Sequence, residues 1–172
     1  MIVVGIDPSS HKLAAVVTDG DKIIDTLTIK LRDDKQIACG QAFRWIQECI
    51  IDPHNMMMEG HIYMEAPIMG VGGPGSTIPQ AQIGGAVMAG AAVLQVSLTL
   101  ANNQAWKRQV CGKGNIRKDQ VAGAMLTVWP ELVHRVGADQ DLIDAGAINM
   151  YGRRAVRLRA KVVRHRAKGM QS

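Results

Sequence analysis

The sequence predicts an α/β fold, a mixed five-stranded sheet flanked by helices, and three observations predict it. The chain opens on an uninterrupted apolar run, Ile2-Val3-Val4-Gly5-Ile6. Such a run reads as a strand buried on both faces, because a strand with one wet face would alternate polar and apolar residues. Two β-rich runs then flank Thr18-Asp19-Gly20-Asp21, and Asp-Gly between such runs is a strong hairpin signal. Beyond them, helical patterns alternate with two short apolar stretches, HIYME and VSLTL, which is the order of a sheet with helices on its faces.

The first three strands therefore form an antiparallel meander. From Asp33 to about Ile51, the apolar residues Ile37, Ala38, Phe43, Trp45, Ile46 and Cys49 to Ile51 recur at helical spacing, and Pro53 closes the segment. HIYME is a strand stopped by Pro67, MGVGGPGSTIP a loop, and AQIGGAVMAGAAVLQ a helix rich in small residues. VSLTL is the fifth strand, ANNQAWKRQVCGKGN a polar passage, and IRKDQVAGAMLTVWP a helix that ends before Pro130. From DLIDAGAIN onward the chain reads as one long final helix with Gly146 and Gly152 as soft points, and there are no internal repeats.

A chain of 172 residues with 47% hydrophobic content can bury one proper core. One domain over residues 1–152 with a basic extension over 153–172 is expected. The nearest approach to a membrane span, IGGAVMAGAAVLQVSLTL, is interrupted by Gln95 and diluted with glycine, serine and threonine, so no membrane partner is expected. With no basic leader or small-residue cleavage site at the start, a cytoplasmic protein is expected. Cys39, Cys49 and Cys111 are odd in number and lack CxxC spacing, which indicates neither a disulfide framework nor a zinc site. The net charge of +5 is unevenly spread: residues 151–172 hold 8 of the 20 lysines and arginines and no acid. Such a run favours a polyanion, although a solvated helical end accounts for it about as well.

Asp7 ends the first buried strand and is followed at once by Pro8, and a carboxylate there is costly to desolvate unless it is paired or binds a cation. Glu65 repeats the pattern after Ile62-Tyr63-Met64. If the two strands are neighbours and parallel, both acids emerge at the same sheet edge, where open α/β sheets place their sites. Asp141 and Asp144 share one face near the start of the final helix. Each acid also has an ordinary explanation as a turn cap, an ion-pair partner or a dipole-favoured residue of a first helical turn. Together they would repel one another without a cation, and hard oxygen ligands at this density suit Mg²⁺ or Mn²⁺. Two such ions can activate a water and stabilise both oxygens of an in-line phosphoryl displacement.

GIDPSS before a hairpin, YMEAP after the fourth strand, AWKRQVCGKGNIRKDQV and DLIDAGAIN resemble, in that order, the RuvC-type Holliday junction resolvases of the ribonuclease H-like superfamily, over about residues 2–151. The resemblance implies a ribonuclease H-like nuclease domain, two Mg²⁺ ions per site held by Asp7, Glu65, Asp141 and Asp144, and a homodimer acting on branched DNA, especially four-way junctions. It leaves Asp139 as only a neighbour of the acids. It also implies that Lys107 and Lys118 hold DNA phosphates near the scissile bond, where an ammonium can oppose a developing oxyanion. Arg108, Lys113 and Arg117 stand beside them as further DNA contacts, and Arg153, Arg154 and Arg157 begin the basic run. The family often stacks an aromatic residue on a junction base shortly after the fourth-strand glutamate; this chain has Ile68 and Met69 there, which would have to act as an apolar wedge. The small residues Gly84, Gly85, Ala86, Ala89, Gly90 and Ala91 offer a close-packing face for a twofold dimer, or only for the helix's own sheet.

Three other readings have a place in the same residues. Gly70 and Gly75 nearly match a P-loop before Ser76 and Thr77, but its lysine is missing. GIDPSS and its hairpin also occur in actin-like and sugar-kinase ATPases, which need two such lobes where this chain has room for one. A non-catalytic branched-DNA-binding protein, or a related nuclease cutting forks or flaps, would share the fold.

Overall fold

The structure, a computed structural model, describes residues 1–57, 60–67 and 74–169. The expected meander comprises β1 (Ile2–Pro8), β2 (Lys12–Asp19) and β3 (Lys22–Lys30), and two further strands follow, β4 (His61–Glu65) and β5 (Ser97–Ala101). All five join in one sheet of order β3-β2-β1-β4-β5. β1 is antiparallel to β2 and parallel to β4, and β4 is parallel to β5. The fully apolar β1 is thus the central strand, and its alternate residues serve different cores. Val4 and Ile6 join one buried cluster and Val3 the other, as the unbroken apolar run requires.

One face of the sheet is covered by α1 (Lys35–Trp45) and α2 (Pro74–Val93). Asp34 starts α1 by accepting a hydrogen bond from the Ile37 amide at 3.0 Å. After Trp45 the winding widens into a π-helical turn, Ile46–Ile51, whose Ile46, Ile50 and Ile51 are buried. The helix expected to begin at Ala81 begins at Pro74 instead, a residue suited to a first helical turn, so the end of the expected loop is helical and Thr77 is buried. Gly70, Ile68 and Met69 lie outside the described residues, and with them the wedge and the first glycine of the P-loop-like spacing.

The other face carries α3 (Asn103–Cys111), α4 (Lys118–Val128), α5 (Pro130–Val136) and α6 (Gln140–Gly169). The passage expected to be merely polar forms α3. The side chain of Asn102 caps it by accepting from the Ala105 amide, Gly112 ends it at φ 82°, and Trp106 and Val110, one turn apart, face the core. The short α5 was not expected; it opens on Pro130 and buries Leu132.

The long final helix is present as α6, but its glycines are points of close approach rather than soft points. A Cβ on Gly146 would overlap Leu132, and one on Gly152 would overlap the Tyr63 ring. Gly5 lets the helix lie directly on β1, since a Cβ there would overlap the backbone of Ala145 and Asn149. The fully buried Asn149 donates to the carbonyls of Val3 (2.8 Å) and Val16 (3.0 Å) and accepts from the Thr18 hydroxyl at 3.3 Å. α6 is thereby fixed against two strands. The division expected after residue 152 falls inside this unbroken helix, and Arg153 is buried. Among the described residues, no helix is long and apolar enough to cross a membrane.

Candidate active site

The parallel register pairs Ile6 with Met64, so Asp7 and Glu65, each the next residue, emerge side by side at one edge of the sheet. Both are only 8% exposed. The N-terminal turn of α6 comes to the same edge and brings Asp144, also buried, and the half-buried Asp141. All four acids expected from the sequence therefore lie at one end of the sheet.

Their electrostatics follow from this crowding. Burial, reinforced by the charges of Glu65 and Asp144, holds the Asp7 carboxyl well above the usual carboxylate range, and Lys118 only partly offsets this. Burial also raises Asp144, against the Gln140 amide that donates to its Oδ1 at 2.8 Å and against the charge of Lys118. Lys118 Nζ lies 3.5 Å from Asp144 Oδ2 and 3.7 Å from Asp141 Oδ1. Burial disfavours its charge, but Asp7, Asp144 and Asp141 outweigh that and hold the ammonium charged above its ordinary range.

Several groups that sequence reasoning did not single out orient these acids. Glu65 Oε1 accepts from the indole of Trp106 at 3.1 Å and from the side-chain amide of Asn103, so α3 fixes the carboxylate from its first turn. Lys12 Nζ bridges Asp139 at 2.8 Å and Asp141 at 3.2 Å. Asp139 is more than a neighbour in sequence: its Oδ1 accepts from the amides of Asp141 (3.2 Å) and Leu142 (3.3 Å), which caps α6. Burial works against the charge of Asp139, yet Lys12 and these amides hold its carboxyl below the usual range. The α3 cap was readable from Asn102, the Trp106–Val110 spacing and Gly112. No local signal ties Asn103 to Glu65 or Lys12 to the start of α6.

The expected cationic residues are distributed unevenly. Lys107 is half-buried over the Trp106 ring, 5.4 Å from its centroid. Arg108 and Lys113 are exposed, and Arg117 is held by its neighbour Asp119 at 2.8 Å. The three arginines that begin the basic run do not extend freely into solvent. Arg153 lies over Trp129, 4.4 Å from the ring centroid, and pairs with Asp21 at 3.0 Å; Arg157 reaches the same carboxylate, and Arg154 donates to the Gln109 carbonyl. From residue 157 to 163, α6 is exposed on all sides.

The donor chemistry fits a hard divalent cation. Crowded carboxylates that hold the carboxyls of Asp7 and Asp144 above their usual range are stabilised by a dication, and the approach of Lys118 shows where positive charge is favoured. Among the described residues, no three His, Cys, Asp or Glu side chains are already close enough to hold one ion. The small-residue helix splits between the two roles weighed for it. Gly84, Gly90 and Ala91 turn inward, and a Cβ on Gly90 would overlap Ile46. Gly85 and Ala89 are exposed in a row with Ile78, Met88 and Val93.

No protein-family model matches the chain, and no curated protein matches it in sequence. Solved structures do match. A RuvC structure from Thermus thermophilus superposes with a TM-score of 0.65 at 18% identity, covering 87% of this chain and 91% of that one. T. thermophilus RuvC in complex with a Holliday junction substrate gives 0.68 at 17% identity, covering 87% and 90%. The chain has the ribonuclease H-like fold of these proteins.

Proposed function

We propose that this protein is a structure-specific DNA endonuclease that resolves four-way junctions by paired, metal-dependent phosphodiester hydrolysis. The observation that carries this reading is the convergence of Asp7, Glu65, Asp141 and Asp144 at one sheet edge with Lys118 between two of them, in a fold shared with a protein solved on a Holliday junction. Asp7, Glu65, Asp141 and Asp144 would hold Mg²⁺, or Mn²⁺ in its place. When bound, such ions lower the pKa of a water and neutralise charge on the phosphate oxygens. Asn103 and Trp106 hold Glu65 in one orientation. Lys118 stays protonated at neutral pH and, as cations enter among the acids, is free to turn its ammonium to a non-bridging phosphate oxygen. Lys107, next to Trp106 and over its ring, would hold a flanking phosphate.

Paired cuts on opposing strands call for two sites related by a twofold axis. The exposed row of Ile78, Gly85, Met88, Ala89 and Val93 on α2 supplies a face on which a second copy could pack closely. Sedimentation of the full chain with and without a four-arm junction tests the dimer; Gly85→Glu with Ala89→Glu should give a monomer that nicks one strand at a time. The activity is tested by incubation with Mg²⁺ and a junction in competition with forks and flaps. Junction-selective paired cutting is expected, whereas equal cutting of all three by a monomer would move the assignment to a flap nuclease, and metal-independent binding with no cutting to a branched-DNA-binding protein.

A further inference from the structure

Around the middle of α6 the chain forms a second feature that the nuclease reading does not use. A hollow of about 310 Å³ opens beside Arg153, Arg154 and Arg157, and its remaining wall is formed by Val128, Trp129 and Met150. Among the described residues, the one acid lining it is Asp21, in the turn between β2 and β3. A single oxygen of Asp21 accepts from both Arg153 (3.0 Å) and Arg157 (2.5 Å). Two guanidinium groups thus share one carboxylate while Arg154 donates to the Gln109 carbonyl, and the three arginines of the lining face a single acid. Arg153 is 9% exposed, and its Nε is buried without a hydrogen-bond partner. An orphaned donor on a buried cation is costly and is relieved by an anion.

We propose that this hollow is a second binding site of the protein, one that takes the phosphate of a nucleotide on its arginines and the sugar or base against Val128, Trp129 and Met150. The volume is at the lower end of small-ligand pockets and exceeds what a bare phosphate needs, and the apolar wall would be left wet by an inorganic anion. Guanidinium groups suit this anion because their fork matches the oxygens of a phosphate. The hollow also has a defined relation to the acids. α4 begins at Lys118, beside Asp144, and ends at Val128 on the rim of the hollow, a span of about 15 Å at about 1.5 Å per residue. On a strand whose successive phosphates rise about 3.4 Å, that distance corresponds to about four or five nucleotides. The nuclease reading, on which only the source of the nucleotide rests, supplies such a strand.

Calorimetric titration of the full chain at low salt, with thymidine 5′-monophosphate as the probe and thymidine as the control, tests the site. The monophosphate should bind and thymidine should not. Arg157→Gln should weaken binding about tenfold, as removal of one charge-assisted hydrogen bond does. Arg154→Gln should act in the same direction and serves if the first variant is misfolded by thermal scan. Asp21→Asn should strengthen binding several-fold, because it removes the anion that competes for the arginines; a purely structural ion-pair cluster would not respond in that direction. No binding, or weaker binding in Asp21→Asn, overturns the proposal. The source is read from junction affinity: a drop in Arg157→Gln parallel to the drop in monophosphate binding assigns the site to a DNA strand, and an unchanged junction affinity assigns it to free nucleotide. Junction cleavage by the unmodified protein is measured beside these titrations. Cleavage without nucleotide binding sinks the hollow alone, and nucleotide binding with the expected charge responses but without cleavage sinks the nuclease reading alone.

Discussion

α6 links two regions of opposite electrostatic character, one at its start and one at its middle. At its start, Asp7, Glu65, Asp141 and Asp144 crowd one sheet edge, where Lys118 pairs with Asp141 and Asp144 and Lys12 bridges Asp139 and Asp141. At its middle, Arg153 and Arg157 share Asp21. One region is short of cations and the other of anions, and both keep charge partly buried despite its cost. Folding alone does not ask for either imbalance, since apolar side chains would fill both places at less expense. The comparison teaches that neither cluster of like charge is balanced by the side chains around it, which is the imbalance that the proposed cation and the proposed nucleotide would relieve.

The acidic end can be broken most sharply. Asp7→Asn keeps the side chain's size and removes its charge; Mg²⁺-dependent junction cleavage should fall by at least about a thousandfold, the several kcal/mol that metal placement supplies, while binding measured by gel shift survives. Undiminished nicking would remove Asp7 from the site. A smaller loss, about 10- to 100-fold, is expected for Asn103→Ala, which frees the Glu65 carboxylate. That loss should be recovered in part at higher Mg²⁺, which a change in chemistry alone would not allow.

Stability without metal sharpens the comparison from the other side. The folded-state pKa of Asp7 is raised, so its favourable contribution is complete below the ordinary carboxylate value of about 3.9 and is lost as pH rises through the folded value. Asp7→Asn should therefore be more stable than the metal-free parent by a margin that widens from about pH 4 upward, each kcal/mol appearing as about 2–4 °C in Tm. Mg²⁺ should raise the Tm of the parent more than that of the variant. A margin that narrows with pH would contradict the buried-carboxylate account. The smallest effect belongs to the basic end. Truncation after Leu158 spares the buried Arg153 and cuts within the exposed residues 157–163; it should flatten the log-log salt dependence of DNA binding by about 0.9 for each phosphate that the removed residues neutralise.

What was legible in the sequence was what local pattern encodes. The two-faced strand, the Asp-Gly hairpin and the acids that end β1 and β4 declared themselves because burial on both faces and an abrupt carboxylate leave a mark within a few residues. The extent of α2 and the existence of α3 and α5 were less visible, since caps and single-turn apolar pairs among polar residues are weak signals. Contacts such as Asn103 with Glu65, Lys12 with Asp139 and Asn149 with two strands carry no local trace, because they exist only once distant segments meet. The basic run shows the same limit: its composition pointed to a polyanion, but which arginines face inward was decided by Asp21 and Trp129, both remote from the run in sequence.

The seating of α6 on β1 also orders events in time. Val3 and Asn149 are separated by 146 positions, and the face of the central strand that receives the helix stays open until the last 30-residue helix is made. Contacts this remote in sequence form late and slowly. A nascent chain carries Asp7 and Glu65 long before Asp141 and Asp144, so a polypeptide interrupted before α6 brings only half of the four acids to the sheet edge.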